Sequence, residues 1–482
     1  MISAHIINIL RSLDGNETER FNDFVYSPFH NKSKTIHKFW EILRKYYPEY
    51  KDEFMDKEYL FRLIFGAKKY NYGTMKNLIQ TFLELLESFL NIVYHEEDRF
   101  QVRYNELAYC IIKFYPDLFK KKFSQVIKEY GKISEGADNH FIFKYQLLRL
   151  SASFGSLESK ESTILFDQGD TLIHFMLIQL FQIHYNIKVF YNSKNLIQQD
   201  NQVEALLNSL SLIEIIDNVR KNNPEAFKAV NLYYYMYLCT DHPENDENFY
   251  TYIKLYLNSH KFLHRFEFEG LANTVINIFT NRSYLGIEGT SKETDEFIKK
   301  IIKLKVEFGN TDNRISIVHF SKTLKCFFEA EDSVYAQKFF EKYKSRLIEK
   351  DKEPMDNYYT ANTYYLKKDY NKALEYANKI KAEPGRFKIF IKEFQLKCYY
   401  ELDEAVQFNY TLKAFRLLVY REDSLNMNRK EYTKNFLNVI NALFDCKVDK
   451  KQKLDDVKIE IKKNKMVNKE WIIQKLNEIE KK

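Results

Sequence analysis

The chain has 482 residues, with only 12 glycines and 7 prolines against 36 tyrosines and 40 phenylalanines. So few turn formers exclude an all-β sandwich, a glycine-rich dinucleotide fold, collagen and low-complexity disorder, and leave an all-α protein with short connections. Its 74 Lys and Arg against 67 Asp and Glu give a net charge of +7, which is mild for this length. The length exceeds what one hydrophobic core usually serves, so two or three helical units are expected.

Residues 1–92 read as an N-terminal helical domain. Ser27-Pro28-Phe29 marks a break. Ile36, Phe39, Trp40 and Leu43 then follow helical spacing until Pro48. Asp56 has the chemistry of an N-cap for a short helix with Tyr59, Leu60, Leu63 and Ile64, ending at Gly66. Past Gly73 a longer helix carries Met75, Leu78, Ile79, Phe82, Leu85, Leu86, Phe89 and Leu90 at helical intervals.

Residues 93–310 continue as amphipathic helices, with breaks expected at Pro116, 131–138, 155–162, Pro224, 241–245 and 286–290. These intervals suit helical hairpins set in an array. The most apolar stretch, residues 171–190, approaches the length of a membrane span. His174, Gln179, Gln182, His184, Asn186 and Lys188 interrupt it, so no span is expected. His174 and His184 read as core histidines. The five cysteines are far apart and sit in apolar runs, which predicts reduced, buried thiols and a cytoplasmic protein. The N-terminus lacks the basic stretch and cleavage site of a signal peptide.

Residues 311–482 hold the clearest pattern. Ala361, Tyr364, Asp369–Asn371, Ala373, Ala377 and Pro384 fall at or within one position of a tetratricopeptide repeat, which the segment 357–384 resembles. Phe327, Glu331-Asp332, Ala336, Phe340 and Tyr343 form a weaker copy, and a third begins at Cys398-Tyr399-Tyr400-Glu401-Leu402. The resemblance covers residues 310–420 and implies a solenoid of helical hairpins with a concave binding face. On that mapping the face takes Tyr358, Asn362 and Tyr365, with Ser321, Lys325 and Phe328 from the preceding copy. Residues 447–482 carry 12 Lys and 7 acids, which reads as a basic capping helix whose Trp471, Ile472, Leu476 and Ile479 face the core.

The whole sequence is also similar to an uncharacterised family of helical proteins from Bacteroidota-type bacteria. The likeness rests on Phe21-x-x-Phe24-x-x-Ser27-Pro28-Phe29-x-Asn31, Leu60-x-x-Leu63-Ile64-Phe65, the run from Met75 to Leu90, and Glu470-Trp471-Ile472. It implies a shared fold and no activity.

No constellation points to catalysis, a cofactor or a metal. His260 and His264 would share a helix face, but Lys261 stands where a metalloprotease helix needs Glu. Asp167-Gln-Gly169-Asp170 reads as an acidic turn without calcium-loop spacing, and Gly286-Ile-Glu-Gly289 lacks the Lys of a phosphate loop. The expectation is a non-enzymatic helical-repeat scaffold or adaptor for a protein or peptide. The alternative is a transcriptional regulator, because residues 56–90 resemble a helix-turn-helix of winged-helix type placed before repeats. In that reading Lys68, Lys69, Asn71, Lys76, Asn77 and Gln80 face DNA. The lack of Arg in the candidate recognition helix weighs against a nucleic-acid partner.

Overall fold

The computed structural model describes residues 2, 4–130, 138–154, 161–194, 199–287, 289–304, 314–381, 385–423, 425, 427–448 and 454–481. Among them every regular element is helical and there is no strand. They form two compact units, 1–130 and 131–482.

The first unit holds α1 (Ala4–Ser12), α2 (Gly15–Tyr26), α3 (Lys34–Arg44), α4 (Lys57–Phe65), α5 (Tyr72–Glu97), α6 (Arg99–Ile112) and α7 (Pro116–Tyr130). Local chemistry sets the boundaries. Asp14 and Glu17 close a capping box on α2. The Asp56 carboxylate accepts from the amides of Glu58 and Tyr59 at the start of α4, and Gly66 ends that helix at φ 70°. Pro116 opens α7, where its missing N–H costs nothing. The core is aromatic: Phe21 meets Trp40 edge-on at 4.8 Å between ring centres, and Phe39 meets Phe82 at 5.1 Å. Asn31 is buried and donates to the Val25 carbonyl at 2.9 Å, tying the Ser27–Asn31 loop to the end of α2. Residue 92, expected to end the N-terminal domain, lies inside α5, which runs on to Glu97. No wing follows α5, since residues 99–112 and 116–130 are helix.

The second unit begins with α8 (Asp138–Phe154), α9 (Glu161–Lys194), α10 (Gln202–Ser209), α11 (Leu212–Asn222), α12 (Pro224–Asp241), α13 (Asp246–Ser259), α14 (Arg265–Leu285) and α15 (Thr290–Lys303). Residues 167–170, expected as a turn, lie within α9. An apolar helix that continues on both sides outweighs one glycine, whose cost in a helix is about 1 kcal/mol. His184, buried in α9, is held 2.9 Å from the Asp241 carboxylate. His174 packs against Phe141, and burial lowers its pKa to about 4, so it sits in the core as a neutral ring. No helix among the described residues is long and apolar enough to cross a membrane. His260 caps the end of α13 and His264 precedes α14, so the two do not share a helix face. Four of the five cysteines are buried and all five are free thiols.

Beyond residue 316 come α16 (Ile317–Glu329), α17 (Ser333–Tyr343), α18 (Glu349–Leu366), α19 (Tyr370–Lys379), α20 (Arg386–Glu401), α21 (Ala405–Arg421), α22 (Met427–Val448), α23 (Leu454–Lys463) and α24 (Lys469–Glu480). The turns α16–α17, α18–α19 and α20–α21 share one geometry. Glu331, Lys368 and Asp403 sit in the left-handed region at φ 59°, 61° and 58°. In each turn that residue's N–H reaches back three residues and the next N–H reaches back five, the double hydrogen bond of a Schellman motif. Ala361, Ala373 and Ala377 are buried between α18 and α19, and Tyr364 stacks on Tyr376 at 5.6 Å. Small residues bring the two backbones together and the aromatics fill the remaining space. Pro384, the last residue of the repeat pattern, lies outside the described residues, as do 131–137, 155–160 and 288 from the expected breaks.

Candidate functional site in the second unit

α16, α18, α20 and α24 present stripes of side chains to one cavity of about 980 Å³, which Ser333, Val334 and Gln337 of α17 also border. Lys325 and Phe328, three apart, come from α16; Tyr358, Asn362 and Tyr365, at intervals of four and three, come from α18. From α20 come Phe390, Glu393, Phe394, Lys397 and Glu401, and from α24 come Trp471, Gln474, Lys475 and Glu478. The volume lies at the upper end of the roughly 300–1,000 Å³ usual for ligand sites. A second cavity of about 430 Å³ shares Ser283, Ser291, Lys325, Glu329, Phe390 and Asn468 with the first, so the two adjoin at those residues.

The interior is charged and mostly paired. Glu393 is almost fully buried and accepts from Lys325 at 3.0 Å and Arg429 at 3.3 Å. Burial pushes its carboxyl up, but the two cations outweigh that and hold it below the usual carboxylate range. Burial pulls Lys325 down, and Glu393 with Glu329 more than reverses this. On the α24 side a hydrogen-bond relay closes the wall. The Trp471 indole donates to the Tyr365 hydroxyl at 3.0 Å, which donates to Glu401 at 3.3 Å, and Lys475 pairs with Glu401 at 2.8 Å. Such a network is strong only while every member is satisfied.

Lys397 stands apart. Its ammonium donates to the Asn468 side-chain oxygen at 2.9 Å and lies 5.3 Å from the Trp471 ring centre, with no carboxylate of the described residues within 4 Å. Burial lowers its pKa to about 8. Comparisons of the sequence and fold with protein-family models, curated proteins and solved structures return no match. Geometry alone therefore carries the functional reading.

Lys325, Phe328, Tyr358, Asn362 and Tyr365, expected on one concave face, all line this cavity. Their exposure differs from a simple contact surface: Phe328, Tyr358 and Asn362 are buried, while Lys325 and Tyr365 are half-buried. Tyr358 packs edge-on against Phe387 at 5.5 Å. Ser321 does not reach the cavity; it is fully buried and its hydroxyl donates to the Val318 carbonyl. In the first unit, Lys68, Lys69, Asn71, Lys76, Asn77 and Gln80 are all exposed. Two are already engaged there: Asn71 caps α5 through the Thr74 amide at 2.8 Å, and Gln80 donates to Glu84 at 3.0 Å.

Sequence patterns alone did not assign Glu393, Lys397, Glu401, Asn468 or Lys475 to a site. A signal for the first three existed. Charges at intervals of four in 393, 397 and 401 occupy one face of an aromatic-rich helix, where a solvated stripe or a lined cavity is expected. Asn468 and Lys475 reach the cavity only through long-range packing of α24, which no local pattern encodes.

Proposed function

We propose that the protein is a non-enzymatic, cytoplasmic scaffold or adaptor, in which the hairpins of residues 316–421 form a tetratricopeptide-like array that binds a protein or peptide segment in the α16–α18–α20–α24 cavity. The observation that carries this reading is the convergence of five residues, chosen by repeat spacing on two helices, upon one large cavity. The shared turn geometry at Glu331, Lys368 and Asp403 supports the array. Rigid, half-buried aromatics such as Tyr365 and Trp471 are suited to hold a segment at small entropic cost. Five free thiols fit a reducing compartment.

The test is selection of random twelve-residue peptides on the full-length protein, followed by titration against two variants. Gln474→Trp places an indole at the exposed edge of the cavity, whereas Tyr410→Ala removes a ring from an exposed position on α21 that does not line it. Selected peptides should lose at least tenfold in affinity for Gln474→Trp and keep it for Tyr410→Ala. Peptides that bind both variants equally, or a selection that enriches none, reject the reading.

A further inference from the structure

The cavity wall holds one buried donor that the protein leaves unanswered, and it stands beside a half-buried ammonium with no carboxylate of the described residues at hand. Lys397 has three ammonium hydrogens, and its hydrogen bond with a protein group is the one to the Asn468 oxygen. The Asn468 side chain is nine-tenths buried, and its Nδ2 has no acceptor. A buried donor without a partner costs free energy, and native interiors rarely tolerate one. The other interior cations contrast with this pair: Lys325 and Arg429 share Glu393, and Lys475 is matched by Glu401 and Glu478.

We propose that Lys397 and Asn468 form a carboxylate-binding subsite of the cavity, so that the segment it receives presents an Asp, a Glu or a free C-terminal carboxylate between them. One carboxylate oxygen would accept from the Lys397 ammonium and the other from Asn468 Nδ2, with the attached apolar group against Trp471 and Phe394. The site selects a monoanion. It supplies one cation without a carboxylate partner, and Glu329 on α16 and Glu393 on α20 would repel the second charge of a phosphate. Lys397 keeps a lowered pKa of about 8 while the subsite is empty, and an anion there would raise it. Asn468 adopts a left-handed backbone at φ 54°, which carries its side chain from the start of α24 toward Lys397. This inference rests on the peptide-binding reading and narrows it to a ligand chemistry.

The test uses the full-length protein and the emission of Trp471; Trp40, the other tryptophan, is buried in the first unit and supplies a constant background. The probes are acetyl-Phe-Asp-Phe-amide and its Asn counterpart, with 3-phenylpropionate and 3-phenylpropionamide as free small molecules. The expected result is saturable binding of the Asp peptide at least tenfold tighter than the Asn peptide, the scale of one charge-assisted hydrogen bond. Lys397→Met should erase that preference and Lys397→Arg should retain part of it. Asn468→Gly keeps the left-handed backbone and should weaken the Asp peptide several-fold, an independent arm if a Lys397 variant does not fold. Preference for phenylpropionate over its amide without peptide binding would uphold the carboxylate subsite and reject the peptide reading. Equal binding of the Asp and Asn peptides, or a preference that survives Lys397→Met, overturns the subsite and leaves the peptide reading standing. Absence of saturable binding by all four probes overturns both.

Discussion

Lys397 is costly to the folded protein for a reason the surrounding residues make plain. A half-buried ammonium with no carboxylate beside it loses hydration, and the more distant Glu329 and Glu393 offset only part of that loss. Its folded pKa of about 8 lies below the ordinary 10.5, so between those values the unfolded state holds a proton that the folded state has released. Stability therefore rises with pH across that window, and below pH 8 the full penalty applies. Lys397→Met removes the titration while keeping an unbranched side chain only one atom shorter. The variant should be more stable than the parent at pH 7, by about 1–2 kcal/mol. That advantage should shrink as pH rises from 8 toward 10.5, as measured by urea denaturation of both proteins at each pH. An advantage that is constant with pH would show that the lysine is not desolvated. The paired cations Lys325 and Arg429 should not behave this way, because removing either would leave Glu393 buried with half its countercharge.

At the scale of elements, α24 is the helix that completes the wall of the cavity. It is seated by a close approach: a Cβ on Gly286 would lie 2.3 Å from Lys469 Cδ, and Gly286 itself has φ 73°. Both the backbone region and the space demand glycine there. Gly286→Ala should cost about 1–3 kcal/mol and shift the Trp471 emission to longer wavelength. Gly66→Ala provides the comparison, since Gly66 has φ 70° but nothing within 4 Å of an added Cβ. It should show the backbone cost alone, with Trp471 emission unchanged. The difference between these two glycines illustrates what was legible in the sequence. The helix cap at Asp56, the stop at Gly66 and the openings at Pro116 and Pro224 depend on a few neighbouring residues and could be read directly. So could the packing of α18 against α19. The acidic turn at 167–170 and the shared face of His260 and His264 were misread because the packing on both sides, rather than local composition, decides whether a helix continues. Lys397 and Asn468 meet across 71 residues, a pairing invisible to any periodicity.

At the scale of the molecule, the fold divides into two units with separate interiors. The core of the first runs from Ile2 to Val93 and is built from side chains of 1–130 alone. A unit with its own hydrophobic core is expected to fold by itself. The fragment 1–130 should therefore give a helical circular-dichroism spectrum and a cooperative thermal transition. A broad, non-cooperative melt would indicate that this core needs the remaining residues. The scarcity of turn-forming residues is consistent with both units. Connections are short, and several left-handed turn positions are filled by Glu331, Lys368 and Asp403 instead of glycine.

The position of α24 also fixes an order of events during synthesis. Hairpins such as α16–α17, α18–α19 and α20–α21 join sequence neighbours and can pack as soon as each leaves the ribosome. The contact between Glu470 and the Ser291 amide spans 179 residues, and that between Trp471 and Tyr365 spans 106. Until α24 has been made, Tyr365 and Lys397 border an open trough that translation has not yet walled. The nascent polypeptide thus passes through a stage in which three walls of its cavity exist and the fourth does not. On the peptide-binding reading proposed above, competence to bind would arrive only with α24, which would couple it to the progress of translation.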